Sequence, residues 1–210
     1  MDLTNAEKAY QFILEKIITA EMEPGSVIEE RVLMRDSSLG RTPVREALKR
    51  LQVEKFVTVS PRRGMFVAPI TYSDINRIYE VRLELEAFNM NLAVRRITDE
   101  QMEMIEDHVQ SCLQAVDCSI QEQIVLDRQF HFLTYEASHN SWLAEDLKRY
   151  YYMSQRIWFY GYTSLEAIWI GLQDHPQIFT ALQERDAEKV ELRIREHIEN
   201  FQKHIKEYLF

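Results

Sequence analysis

The sequence predicts a mainly α-helical protein in two parts: a small N-terminal domain that closes with a β-hairpin, and an all-helical C-terminal bundle or barrel. Three observations carry this. The 210 residues include only five glycines and five prolines, so turns are few and connections short. Apolar residues recur at three- and four-residue spacing along most of the chain, the period of a helix with one buried face. The period changes to the β type just once, between residues 56 and 67.

Residues 5–21 read as the first helix, with Ala9, Phe12, Ile13, Ile17 and Ala20 on one face, and Pro24-Gly25 turns the chain after it. A short helix over 29–37 turns Val32 and Leu33 inward. A third helix begins near Thr42 and runs to Val53. Pro43 suits its first turn, because the missing N–H has no partner inside the helix there. Val44, Ala47, Leu48 and Leu51 form its apolar stripe, which leaves Arg41, Thr42, Arg45 and Lys49 facing outward. Phe56–Val59 and Met65–Val67 are β-branched or aromatic runs flanking Ser60-Pro-Arg-Arg-Gly64, a hairpin with a basic tip at Arg62 and Arg63. Three helices and such a ribbon make a winged helix-turn-helix over residues 1–70.

From residue 71 the pattern is helical to the C-terminus. A helix over 74–95, capped by Thr71 or Ser73, carries Ile75, Ile78, Tyr79, Leu83, Leu85 and Phe88. Further helices are expected over 98–116, 119–138, 141–160, 175–184 and 186–208, with Thr98 and Asp186 as caps. The stretch 161–174 has no clear class: Gly161 and Gly171 argue for a loop, while Leu165, Ile168, Trp169 and Ile170 are strongly apolar. There is no internal repeat and no low-complexity segment.

The net charge of −9 conceals an uneven distribution. Residues 1–70 carry eleven Lys or Arg against ten Asp or Glu, so the acidity belongs to the remainder. Within 31–63, nine basic residues face three acidic ones. A local basic face on an acidic protein is a footprint for phosphates. The N-terminus shows no basic segment followed by an apolar core, so no secretory signal is expected. No apolar run approaches the roughly 20 residues a membrane span needs. Cys112 and Cys118 form no CxxC pair and read as reduced thiols, which points to the cytoplasm.

The stretch Leu33-Met-Arg-Asp-Ser-Ser-Leu-Gly-Arg-Thr-Pro-Val-Arg-Glu-Ala-Leu48 closely resembles the signature of the GntR family of transcription regulators. The resemblance continues through Lys49-Arg50-Leu51 and Ser60-Pro-Arg-Arg-Gly-Met-Phe-Val67, and upstream through Pro24-Gly25 and Glu29-Glu30-Arg31. It implies a DNA-binding regulator whose contacts to bases or phosphates include Arg31, Arg41, Thr42 and Arg45, with Gly64 at the wing tip approaching the minor groove. Arg35, Lys49, Arg62 and Arg63 add positive charge on the same surface. The physics agrees, since arginine at the start of a recognition helix can make paired hydrogen bonds to a guanine edge. The chain departs from the family at three positions. Gly40 replaces a usual serine, Ser37 a large apolar residue and Lys55 a glycine.

Asp127 and His131 lie four residues apart, on one helix face. Taken alone the spacing is weak. Together, Asp127-Arg-Gln-Phe-His131, His175-Pro-Gln-Ile-Phe-Thr-Ala-Leu182 and Asp186…His197 resemble the metal-site segments of the all-helical FCD domain of the FadR subfamily. The resemblance implies a divalent ion held by Asp127, His131, His175 and His197. Zn²⁺ suits three imidazoles and a carboxylate, and Ni²⁺ or Mn²⁺ fits where further positions are filled. Arg82 matches the subfamily's arginine and implies a small organic acid as effector, the alternative being a salt bridge to Glu86 four residues on. His108, His139 and His204 read as surface or packing residues. The expected protein is a homodimeric repressor on a palindromic double-stranded operator, with no enzyme activity and no membrane partner. A regulator without metal and with an apolar effector stands as the alternative, and a metal-dependent hydrolase as a remote one.

Overall fold

The computed structural model describes residues 3–114, 118–161 and 165–209. The chain forms two compact units: Met1–Ile75 with Gln155–Tyr160, and Asn76–Ser154 with Gly161–Phe210.

In the first unit, α1 (Asn5–Ile18), α2 (Glu30–Ser37) and α3 (Arg41–Val53) precede β1 (Val57–Ser60) and β2 (Gly64–Val67). Thr4 caps α1 by accepting a hydrogen bond from the Glu7 amide. The helix stops three residues before the expected end, where Ala20 takes a positive φ of 58°. Its buried side chains are Ala9, Ile13, Leu14, Ile17 and Ile18. Phe12 and Ala20 stay half-exposed, so the core-facing stripe is rotated from the expected one. With Leu33, Val44, Ala47, Leu48, Leu51, Phe56 and Val67 these residues make the core of the unit. Lys55 ends the α3 region at φ 67°, the left-handed conformation that a glycine adopts more cheaply.

The strands pair antiparallel in the register Val57↔Val67 to Ser60↔Gly64. Gly64, at φ 108°, and Arg62, at φ 64°, turn the chain at the tip. The other edge of β2 is covered by a short extended segment absent from the sequence reading. Val27 bridges Phe66, and the Ile28 amide donates to the Met65 carbonyl. That contact satisfies backbone groups that an open edge would leave unpaired.

The second unit holds α4 (Tyr72–Arg96), α5 (Asp99–Leu113), α6 (Ile120–Ala137), α7 (Ser141–Gly161), α8 (Leu165–Gln183) and α9 (Ala187–Leu209), apart from the end residues of α4 and α7 that fall in the first. The caps are local and explicit. Thr71, rather than Ser73, exchanges hydrogen bonds with Asp74 at the start of α4. Thr98 with Gln101 and Ser119 with Glu122 form complete capping boxes on α5 and α6. Asp186 accepts from the Lys189 amide at the start of α9.

Two features of this unit differ from the sequence expectation. First, α8 is one helix from Leu165 to Gln183 with Pro176 inside it, so residues 165–174, which had no clear class, are helical and continuous with the helix expected from 175. The side chains of residues 165–170 lie outside the described residues. A β-carbon on Gly171 would come within 3.0 Å of the Phe201 ring, so a glycine is what lets α9 pack this closely. Second, α4 buries Ile75 and Tyr79 as expected, but it also turns Arg82, Glu86 and Asn89 inward and leaves Phe88 exposed. Buried charges are tolerated only when paired, and the partners define the site described next. Among the described residues no helix is long and apolar enough to cross a membrane.

Candidate nucleic-acid interface and metal centre

All nine residues expected to meet DNA are exposed: Arg31 and Arg35 on α2, Arg41, Thr42, Arg45 and Lys49 on α3, and Arg62, Arg63 and Gly64 at the wing tip. Gly40 precedes α3 without a side-chain cap, so the first amides of α3 are left without the hydroxyl that a serine would bring. Arg41 and Arg45 both lean toward Glu30, at 3.8 and 3.4 Å, yet their side chains are 71% and 52% exposed. These are loose surface pairs, which leave the guanidinium groups available. Arg50 differs. It pairs with Glu7 at 2.9 Å and Glu54 at 3.0 Å and stacks 3.6 Å from the Tyr10 ring centre, so it ties α1 to α3. Sequence reading missed Glu30, whose only signal was its place one turn from the basic residues of α2.

In the second unit, four side chains from three helices converge. Asp127 and His131 come from α6, His175 from α8 and His197 from α9, and each is at most 3% exposed. One donor atom from each lies within 4.8 Å of all the others. His131 Nε2 is 3.2 Å from His197 Nε2, and His175 Nε2 is 3.3 Å from Asp127 Oδ1. Among the described residues, neither ring nitrogen of His175 has a hydrogen-bond partner, and neither does Asp127 Oδ1. Buried polar atoms without partners are costly, and a shared cation would satisfy them together. The residues present therefore fit a divalent ion, and these four would hold it. Unpaired burial pushes the His175 imidazole down to about 4 despite Asp127 beside it, so the ring is in the neutral, ligating form at neutral pH. Burial would raise the Asp127 carboxyl, but the three histidines around it hold it well below the ordinary range.

Three further residues surround the cluster. Tyr151, on α7, donates to Asp127 Oδ2 at 2.6 Å. Glu86, on α4, places Oε2 2.8 Å from His131 Nδ1, a close approach bent away from the ideal N–H direction. Asp174, on α8, accepts from His197 Nδ1 at 3.3 Å. Glu86 is in turn held by Arg82, with Nε at 2.7 Å and Nη2 at 2.6 Å from Oε1. So the Arg82–Glu86 pair is formed, inside the protein rather than on its surface. Burial opposes the charge on Glu86, yet Arg82 and His131 bring its carboxyl down to about 2. Tyr151 carried no sequence signal of its own, Glu86 was legible only as a partner for Arg82, and Asp174 stood directly before His175. Of the other histidines, His108 bonds the Leu126 carbonyl, His139 meets Gln101 and His204 bonds Asn200 on its own helix.

Metal-free protein should lose stability as the pH falls through the interval from 6.5 to about 4. In that window the unfolded chain takes up a proton at His175 that the folded chain refuses, so acid favours unfolding. The effect is on the order of 2 kcal/mol between pH 7 and pH 5. Denaturant midpoints measured in chelator at the two pH values check it, and equal midpoints would contradict it.

The first unit and the second each match a family. Residues 5–67 match the gntR family of bacterial regulatory proteins, and residues 77–200 match the FCD domain. The Nta operon transcriptional regulator of Aminobacter aminovorans is 29% identical over 192 residues, covering 91% of this chain and 89% of that protein. The transcriptional repressor RspR of Escherichia coli is 21% identical over 202 residues, 96% of this chain and 89% of its own. Among solved structures, McbR/YncC of E. coli superposes with a TM-score of 0.87 at 20% identity, over 98% of this chain and 99% of that one. A GntR regulator from Rhodococcus sp. RHA1 gives 0.79 at 18%, over 96% and 97%. At these identities the structures establish the fold.

Proposed function

The chain belongs to the gntR family of bacterial regulatory proteins and carries their FCD domain, and from that premise we propose a repressor of a metabolic operon, of the FadR type, released by a small carboxylate bound at a metal centre. It is a DNA-binding transcription regulator and not an enzyme. In this reading residues 1–70 bind DNA and residues 71–210 bind the effector. The repressor works in the cytoplasm as a homodimer, because two half-sites multiply affinity and specificity on a palindromic operator. Arg31, Arg35, Arg41, Thr42, Arg45, Lys49, Arg62, Arg63 and Gly64 form the DNA surface.

The observation that carries the sensing half is the buried convergence of Asp127, His131, His175 and His197. Zn²⁺ is the preferred ion, with Ni²⁺ and Mn²⁺ able to use the same donors. Asp127 and Glu86 bring two negative charges against the one positive charge of Arg82. A divalent ion would offset these buried carboxylates and would offer an effector's carboxylate open coordination positions. Arg82 is assigned to the effector's carboxylate, its planar fork having more N–H donors than Glu86 alone uses. An effector that prefers one arrangement of the dimer shifts the balance between DNA-bound and free states.

The test is a panel of small carboxylates added to the metal-loaded and the chelated protein, read by thermal unfolding and by band shifts on DNA flanking its own gene. At least one acid is expected to raise the midpoint of the loaded protein alone and to weaken its DNA complex. If no acid distinguishes the loaded from the chelated form, the carboxylate-and-metal reading is wrong.

A further inference from the structure

The two carboxylates behind the cluster decide which nitrogen each histidine presents. An ionised carboxylate only accepts hydrogen bonds, so a ring nitrogen facing one carries the proton. Glu86 Oε2 faces His131 Nδ1 at 2.8 Å, and Asp174 Oδ2 faces His197 Nδ1 at 3.3 Å. A neutral imidazole has a single N–H, so Nε2 of both rings then bears a lone pair. Those two Nε2 atoms point at each other across 3.2 Å in a buried site. Lone pairs so placed repel one another, and a cation between them turns the repulsion into ligation. Asp127 is treated alike. The Tyr151 hydroxyl takes Oδ2, and Oδ1 is left without a hydrogen-bond partner. His175 has no carboxylate behind it and is steadied by stacking, with the Phe130 ring 3.8 Å away and tilted by 11°.

We propose that Glu86 and Asp174 are positioning residues that fix His131 and His197 as Nδ1–H tautomers with Nε2 toward the ion, Arg82 acting through Glu86. Arg82 engages Oε1 with two N–H groups, which turns Oε2 to His131. This task is separate from any contact of Arg82 with an effector. The inference rests on the metal reading above. It adds that the ion's affinity is set by residues that never touch it, as outer carboxylates commonly do for zinc-bound histidines.

Two variants of the full chain test it. Asp174→Ala removes a half-exposed acceptor and should leave the fold untouched. Arg82→Met with Glu86→Leu removes the buried pair as a unit, so that no lone charge is stranded. Zn²⁺ affinity is measured by chelator competition, the tautomers by long-range ¹H–¹⁵N correlation on histidine-labelled, metal-free protein, and the fold by unfolding in chelator. Wild type should show Nδ1–H on both rings. Asp174→Ala should lose that signature at His197 alone and bind Zn²⁺ about 10-fold more weakly, with its midpoint in chelator unchanged. The double variant should lose the signature at His131 and between about 10- and 100-fold in affinity. If the double variant does not fold, Asp174→Ala and the wild-type tautomers decide. Wild-type affinity in both variants, or Nε2–H on either ring of the wild type, overturns the inference and leaves the metal reading standing. Wild-type protein that binds no divalent ion overturns both.

Discussion

Replacing Arg41 and Arg45 together by alanine should abolish sequence-specific operator binding while the protein remains folded. Both sit in the first turns of α3 with their side chains mostly in solvent. A bidentate arginine–guanine contact is worth about 1–3 kcal/mol, so losing two weakens binding roughly 30-fold to 10⁴-fold. Stability has little to lose. Among the described residues the ion pairs given up are those to Glu30, at 3.8 and 3.4 Å, and exposed pairs contribute about 1 kcal/mol or less. Fluorescence anisotropy on operator DNA, beside a thermal melt, separates the two effects. Undiminished specific binding by the double variant would show that α3 does not read the bases.

The second large effect belongs to the candidate metal centre. His131→Ala and His175→Ala should each destroy tight binding of a divalent ion, since each removes one of four converging donors from a buried site. Wild-type protein with free Zn²⁺ about a thousandfold above its Kd gains about 4 kcal/mol of stability over the chelated form. Either variant should gain almost none of it. Metal analysis after gentle purification, then melts with and without chelator, gives the comparison. A wild type that arrives without metal and takes up neither Zn²⁺ nor Ni²⁺ would end the metal-sensor reading, leaving the DNA-binding assignment unaffected.

The helices and the wing were legible because their signals are local. Pro43 and the stripe from Val44 to Leu51 mark α3 without reference to anything distant. Likewise Thr98 and Asp186 state their helix starts within four residues. α8 was not legible, because a proline and two glycines are loop signals at short range. The helix runs past Pro176 all the same, and Gly171 serves the approach of Phe201 from α9. The inward face of α4 misled for a similar reason. An apolar pattern assigns Phe88 to the core, and it gives no weight to Arg82 and Glu86, which share the face of Ile75 and Tyr79 and are buried because they pair there.

The sequence alone therefore determined the mainly helical architecture with its winged N-terminal part, and, through resemblance, the family and the four residues that converge as a candidate metal site. Each of these depends on spacing along one element or on a contiguous motif. Tertiary structure decided what lies behind the cluster. Glu86 is 45 residues from His131 in the chain, Tyr151 is 24 from Asp127 and Asp174 is 23 from His197. No period along the sequence encodes such pairs. They exist because burying an imidazole or a carboxylate demands a partner, and only the packing of α4, α7 and α8 around α6 and α9 supplies one.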